Sequence, residues 1–231
     1  MCGRYTLTVT LEELMLRYWI EEARFPFHQP KYNVAPGQQV FAVIHDGTKR
    51  RLGQLKWGLV PPWADDPKIG FKMINARAET AAAKPAFAEP IRRKRCLIPA
   101  DGFYEWKKQG NGKQPMRIAL RDRAVFSFAG LYEIWEAPDG SRISSCTILT
   151  TEPNSLMSPI HDRMPVILDP ADEPLWLERR PLDTGELNRI FKPYDADKLE
   201  AYPVTPAVGK ADFDSPECIK PYRQDEQLEL F

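Results

Sequence analysis

Apolar residues along this chain recur mostly with the period of a strand, and only a few stretches carry the period of a helix. The clearest helix comes first: in "TVTLEELMLRYW" the residues Leu11, Leu14, Met15, Tyr18 and Trp19 fall on one face. Thr10 stands where a helix cap belongs, and Glu13 completes a capping box. Strand signals follow. "QQVFAVI" and "RRLGQLKW" flank "HDGTK", whose Asp46-Gly47 pair predicts a hairpin turn. The runs "RCLIPA", "GFYEWKK", "MRIAL", "AVFSFAGLYEIW", "RISSCTILTT" and "MPVILD" read as further strands, separated by the turn-forming "QGNGKQ", "RDR" and "APDG". Shorter helices are predicted within "AETAAAKPAFAEPIRR", "PADEPLWLE" and "TGELNRIFK". The pattern predicts an α+β fold: a strongly bent, mainly antiparallel β-sheet or partial barrel with peripheral helices.

Composition adds limits to that picture. At 231 residues and 43% hydrophobic, the chain has material for one substantial core. A single domain is expected over residues 1–213, followed by a polar, punctuated tail over 214–231 that includes Cys218. The 22 prolines are spread through loops such as "NVAPG" and "LVPPWADDP" and mark no linker. Thirty-two basic and thirty-two acidic residues cancel, so any nucleic-acid site has to be a local patch. No apolar stretch reaches the length of a membrane span, and Glu12, Glu13 and Arg17 interrupt the region where a signal peptide needs an apolar core. A cytoplasmic monomer without a membrane partner is expected.

Cys2, Cys96, Cys146 and Cys218 are far apart and include no C-x-x-C pair, and the three histidines are His28, His45 and His161. This spacing offers neither a zinc site nor a disulfide framework, and no cofactor or metal is expected. Cys96 and Cys146 lie in apolar runs and read as core. Cys2, in "MCGRY", is different. Initiator methionine is commonly removed ahead of a small residue, which would leave Cys2 with a free α-amine beside its thiol. Reference pKa values of about 7.7–8.0 and about 8.5 give both groups reactive fractions near neutrality. Against an aldehyde, the amine forms a Schiff base and the thiol closes on the same carbon to give a thiazolidine. On these residues alone, a cysteine that is second by chance remains open.

The surrounding motifs narrow the choice. "MCGRY", "YNVAPG" at 32–37, "WGLVPPW" at 57–63, "INARAET" at 74–80 with "ADGFYEW" at 100–106, and "IHDRMPVIL" at 160–168 together resemble the SRAP family, the SOS response-associated peptidases that process abasic sites and attach covalently to single-stranded DNA. The resemblance runs from residue 2 to about residue 208. It implies that Cys2 forms a thiazolidine with the ring-opened abasic deoxyribose, that Glu105 acts as general acid-base, that His161 assists ring opening, and that Asn75 fixes the cysteine and sugar. Period-two alternation places Phe103, Glu105 and Lys107 on one face of a strand, and an extended backbone aims Asn75 and Arg77 the same way.

The same segments supply a DNA surface. Gly3 and Gly58 would let backbone approach the strand, Arg4, Asn33, Arg77 and Arg163 would meet its polar groups, and Trp57 or Trp63, if exposed, would stack a base. The run "RRKR" at 92–95 reads as a solvated helix face and is left outside the site. Two other functions fit the residues: a cysteine peptidase using Cys2, His161 and Glu105 on itself or on peptides, and a non-catalytic single-stranded DNA-binding module. The chain ends in "QLELF", which resembles the motif by which bacterial repair proteins dock on the sliding clamp. That resemblance implies a polar anchor at Gln227, with Leu228, Leu230 and Phe231 supplying the apolar contacts.

Overall fold

The computed structural model describes residues 2–21 and 28–222. Its elements, in chain order, are β1 (Tyr5–Leu7), α1 (Leu11–Tyr18), β2 (Lys31–Val34), β3 (Gln39–His45), β4 (Arg50–Trp57), β5 (Asn75–Arg77), α2 (Ala78–Ala81), α3 (Pro85–Arg93), β6 (Arg95–Ala100), β7 (Gly102–Gln109), β8 (Gly112–Leu120), β9 (Phe126–Glu136), β10 (Arg142–Thr151), β11 (Met164–Pro165), β12 (Ile167–Leu168), α4 (Glu173–Trp176), α5 (Thr184–Ile190) and β13 (Leu199–Pro203). The fold is α+β, as the pattern predicts. Among the described residues, no helix is long and apolar enough to cross a membrane.

The strands form two sheets. One has five antiparallel strands in the order β13-β8-β7-β1-β2. In the other, β10, β4, β3, β6 and β9 make a ring, because β9 pairs with both β6 and β10 while β10 also pairs with β4. The expected partial barrel is therefore closed, and closure removes the free edges that a bent sheet would expose. Two parallel contacts, of β10 with β4 and with β5, interrupt the antiparallel order. Gly130 shows how tightly the ring packs. A Cβ there would sit 2.7 Å from Cys96 Sγ and 2.8 Å from Ile98 Cδ1, so β9 has room for no side chain at that point.

Aromatic rings join the two sheets. Tyr5 of β1 lies 5.4 Å from Trp57 of β4 and 5.7 Å from Phe128 of β9, and Phe103 of β7 meets Phe128 edge-on at 6.0 Å. All four are buried, and each buries on the order of 150–250 Å². A smaller cluster of Tyr104, Val204, Val208 and Cys218 covers the other face of β7.

The first helix forms where predicted, with Thr10 Oγ1 accepting from Glu13 N and Glu13 Oε2 accepting from Thr10 N. Its last predicted core residue is not in the core. Trp19 caps the helix at φ 59°, the chain reverses there, and the indole is 82% exposed. The predicted helix in "AETAAAKPAFAEPIRR" is split into α2 and α3, with Pro85 at the start of α3 where its missing N–H costs nothing. The run "RRKR" is also divided: Arg92 and Arg93 are exposed, but Arg95 is buried. Its guanidinium donates to the carbonyls of Ile91 and Arg92 at the end of α3 and to those of Trp176, Glu178 and Arg180. Burial pulls its pKa down to about 10, so it stays charged at neutrality and clamps the two helix ends.

The domain extends beyond the expected boundary at 213. Asp214 Oδ1 accepts from the backbone N–H groups of Tyr32 and Asn33 at 2.7 and 3.1 Å, Cys218 is fully buried, and Tyr222 N donates to Pro203 O. Residues 214–222 are thus part of the body, whereas Gln227, Leu228, Leu230 and Phe231 lie outside the described residues.

Glu173 anchors α1 and α4 to the barrel. It takes two hydrogen bonds from Arg17, at 3.0 and 2.7 Å, and one from Ser127 at 2.6 Å, while only 2% of its side chain is exposed. Glu173→Ala is expected to destabilise the fold by the lower part of about 3–5 kcal/mol, because Arg17 keeps some access to water. Urea denaturation measures this, and Glu173→Gln should recover part of the loss.

Candidate active site

The position of the first residues is set by β1. Its antiparallel register with β7 aligns Tyr5 with Phe103 and Thr6 with Gly102, and the ladder continues through Tyr104 N to Arg4 O at 3.0 Å. Asp101, just ahead of β7, reinforces it. Its carboxylate accepts from the Thr6 hydroxyl, from Thr8 N at 2.6 Å and from Thr8 Oγ1 at 2.5 Å, and it faces the Arg117 guanidinium at 3.4 Å. Asp101 and Arg117 are both nearly inaccessible. The register brings the start of the chain alongside Glu105. Cys2 is fully buried, with its Sγ 3.9 Å from Arg4 O. Burial pushes the thiol pKa well up, and the negative charge of Glu105 adds to the effect.

Glu105 is not the exposed strand residue that its neighbours Lys107 and Lys108 would suggest; only 2% of it is accessible. The reason is tertiary: β7 is covered on both faces, with Phe103 in the main core and Tyr104 in the smaller cluster. Burial raises the Glu105 pKa above the ordinary carboxylate value, and the charge of His161 opposes this only in part. His161 lies in the segment before β11, with Nε2 3.9 Å from Glu105 Oε2. At Nδ1 it meets the Arg163 N–H at 3.0 Å and the Asp162 carboxylate at 3.0 Å.

Asn75 and Arg77 occupy β5, with Ala76 buried between them as period two requires. Asn75 Nδ2 donates to Ile148 O at 3.4 Å, while its Oδ1 is buried and meets no donor among the described residues. Such an acceptor is expensive unless something else supplies the hydrogen bond. Arg77 is exposed, and no ion pair of its guanidinium occurs among the described residues.

The remaining DNA candidates divide. Gly3 is half-buried. Arg4 is half-buried as well, and one of its guanidinium nitrogens donates to Gly209 O at 3.3 Å. Trp63 is 57% exposed, and Phe71, which the motifs did not single out, is 61% exposed. Trp57 is not available for stacking: it is 1% exposed and its Nε1 donates to Ile74 O at 2.9 Å. Asn33 is likewise enclosed. Its Nδ2 faces the carbonyls of Val208, Lys210 and Phe213 at 3.2, 2.9 and 2.8 Å, so it braces the chain that carries Gly209. Gly58, at φ +127°, packs against backbone: a Cβ there would come 2.7 Å from Gly70 O. This contact holds the 67–74 segment on which Asn75 follows. Arg163 is engaged by Glu79 and by Thr150 O.

Sequence reasoning missed Asp101 and Glu79, although both stand inside quoted motifs. The signal for Asp101 was the spacing of Thr6 and Thr8, two hydroxyls on one side of an extended segment.

A buried thiol on the segment before β1 lies with a carboxylate and an imidazole beside a closed barrel. This chain belongs to the SOS response associated peptidase (SRAP) family, whose model matches residues 1–211. It is 50% identical over 223 residues to the abasic site processing protein YoqW of Bacillus subtilis, covering 95% of this chain and 99% of that one. It is 34% identical over 236 residues to the abasic site processing protein HMCES of Gallus gallus, covering 88% of this chain and 68% of that one. Among solved structures, a Bacteroides thetaiotaomicron protein superposes with a TM-score of 0.83 at 28% identity, over 96% of this chain and all of that one.

The raised pKa of Glu105 has a consequence for stability. A carboxyl whose folded-state pKa exceeds its unfolded value favours the fold only while protonated, and that contribution is lost as pH rises through the folded pKa. Glu105→Gln is therefore expected to raise the thermal midpoint at pH 7, with the gain shrinking as pH falls through the folded-state pKa and gone below the unfolded value of about 4.3. Thermal denaturation at the two pH values checks it.

Proposed function

We propose that this protein captures abasic sites in single-stranded DNA, using Cys2 as its N-terminal residue once Met1 is removed. The observation that carries the reading is the enclosure of the Cys2 thiol beside Glu105, with His161 Nε2 3.9 Å beyond the carboxylate. The names of the relatives support the substrate.

The reaction joins the α-amine and thiol of Cys2 to the C1′ aldehyde of the opened deoxyribose. His161 moves a proton as the sugar ring opens. The amine adds to the aldehyde, and Glu105 in its acid form protonates the departing hydroxyl, so water leaves and an imine remains. The thiol then adds across the C=N bond, its proton passing through Glu105 to nitrogen. One water is released per thiazolidine, and no oxidant or metal is required. Asn75 Oδ1 is an acceptor for the sugar or the amine, Arg77 and Arg4 meet phosphates, and Trp63 stacks a base. The same groups run in reverse would release the DNA, and β-elimination from the imine, with loss of a C2′ proton and departure of the 3′-phosphate, would give lyase products.

A peptidase reading of the same residues is weaker on one physical ground. A conventional cysteine peptidase needs a thiolate, and so a lowered thiol pKa, whereas burial and Glu105 both raise that of Cys2. Peptidase activity is therefore assigned no further than removal of the residue ahead of Cys2.

Incubation of the processed protein with abasic single-stranded DNA should give, by mass spectrometry, an adduct on residue 2 at the mass of both partners less one water. Cys2→Ser, or an uncleavable residue ahead of Cys2, should abolish the stable adduct. Glu105→Gln and His161→Ala should slow its formation by about 10²–10⁴-fold while changing DNA affinity little. A stable adduct from the blocked protein would overturn the reading.

The chain end adds a delivery step. Gln227, Leu228, Leu230 and Phe231 are proposed to dock on a bacterial sliding clamp, bringing the trap to replicating DNA. Titration with the clamp is expected to show micromolar binding that disappears on deletion of residues 227–231, with crosslinking to free DNA unaffected. Clamp binding that survives the deletion would refute it.

A further inference from the structure

We propose that Glu79 is a positioning residue of this site: through Arg163 it sets the pose of the His161 imidazole. The inference rests on the proton-moving role of His161 proposed above.

Glu79 lies in the first turn of α2, directly after β5. That strand is fixed by its parallel pairing with β10, which sets Asn75 beside Ile148 and Arg77 beside Thr150. The Arg163 guanidinium comes down onto this platform. Two of its nitrogens donate side by side to the two oxygens of Glu79, at 2.8 and 2.9 Å, and one of them also donates to Thr150 O at 2.6 Å. A paired fork of this kind fixes orientation as well as distance. The Arg163 side chain is 13% exposed and that of Glu79 43%, so the fork sits at the rim of the site with the arginine as its buried partner.

The other end of Arg163 holds the ring. Its backbone N–H is 3.0 Å from His161 Nδ1, its carbonyl oxygen is 3.2 Å from the same nitrogen, and the Asp162 carboxylate is 3.0 Å away. These three contacts come from the two residues that follow His161. Asp162 is 86% exposed, and its carboxylate has no other anchor among the described residues, so the geometry of the group depends on Arg163. On the other side, His161 N is tied to Met157 O at 2.9 Å. The imidazole is thus suspended between a helical turn behind it and the Glu79–Arg163 fork ahead of it, with Nε2 directed at Glu105. Without Glu79 the fork has only Thr150 to hold it. The backbone that contacts Nδ1 would then be free to shift, and Nε2 would move relative to Glu105.

A lysine at position 163 could not substitute, because one ammonium cannot match two carboxylate oxygens and a carbonyl in one plane. Glu79 does not touch the reacting atoms. Its effect should appear in rate and in ring geometry, and not in the strength of DNA binding.

The test uses the full processed chain with Glu79→Ala and Glu79→Gln, the second keeping one acceptor oxygen in place. The ring nitrogen resonances of His161 are read by NMR in the free protein, where only three histidines need to be assigned. Crosslinking is followed at saturating abasic oligonucleotide, affinity is measured with an oligonucleotide carrying an unreactive tetrahydrofuran abasic analogue, and the thermal midpoint reports folding. Glu79→Ala should shift the His161 resonances and slow crosslinking at saturation by about 10–100-fold, with affinity for the analogue retained and the protein folded. Glu79→Gln should do the same to a smaller degree. Unchanged His161 resonances in both variants, or a loss that appears in affinity and leaves the saturated rate intact, would overturn the proposal. Failure of the wild-type protein to crosslink would instead count against the reading of the reaction, and the resonances of the free protein would still decide the role of Glu79.

Discussion

Everything in the site depends on the pairing of a three-residue strand at the very start of the chain. β1 is too short to be held by its own ladder, and a chain end is ordinarily the least ordered part of a domain. Here Asp101 takes three hydrogen bonds from Thr6 and Thr8, and Arg117 stands behind the carboxylate. Tyr5 adds an aromatic ring wedged between Trp57 and Phe128. Polar ties on one side of the strand and apolar packing on the other hold residues 5–7 rigidly. Cys2 is therefore delivered to one place, beside Glu105.

That placement has an energetic cost. The site gathers a thiol and a carboxyl group in a region where water is excluded, and both resist ionisation there. A fold optimised only for stability would replace Glu105 with a neutral residue. Retaining it gives a carboxyl group that stays protonated to higher pH than an ordinary glutamate, and in the proposed reaction that is the form that helps water leave as the imine forms. The same burial keeps the thiol neutral. The cost is borne by the surroundings: the closed barrel, the aromatic layer, and the charged clamps at Glu173 and Arg95 lie outside the reaction and stabilise the frame around it.

Several residues selected for contact with DNA do another kind of work. Asn33 supports the segment that receives Arg4, Gly58 lets the 67–74 segment approach closely enough to set Asn75, and Trp57 ties the same segment to the barrel. They surround the site without facing the strand. Arg77 and Trp63 remain as the exposed pair of charge and aromatic surface.

The capping box at Thr10 and Glu13, the Asp46-Gly47 hairpin, the longer strands β3, β4 and β6–β10 and the alternation through Asn75 and Arg77 were legible in the sequence, because each depends on residues within a few positions of one another; the short strands β1, β2 and β13 were not. The motifs that accompany Cys2 were legible too, and with them the membership of the family. What the sequence could not determine was which side of each residue would be covered. Trp19 and Trp57 look equally apolar, yet one is exposed at a helix end and the other buried between sheets. Glu105 and Lys107 share a strand face, yet only Glu105 lies under the N-terminal segment. Arg95 belongs to a basic run, yet carbonyls from the adjoining end of α3 and from the distant end of α4 enclose it. Local pattern reports the periodicity of a segment. Barrel closure and the pairing of β1 with β7 join residues roughly a hundred positions apart, and only that long-range packing decides which side chains meet water, DNA or one another.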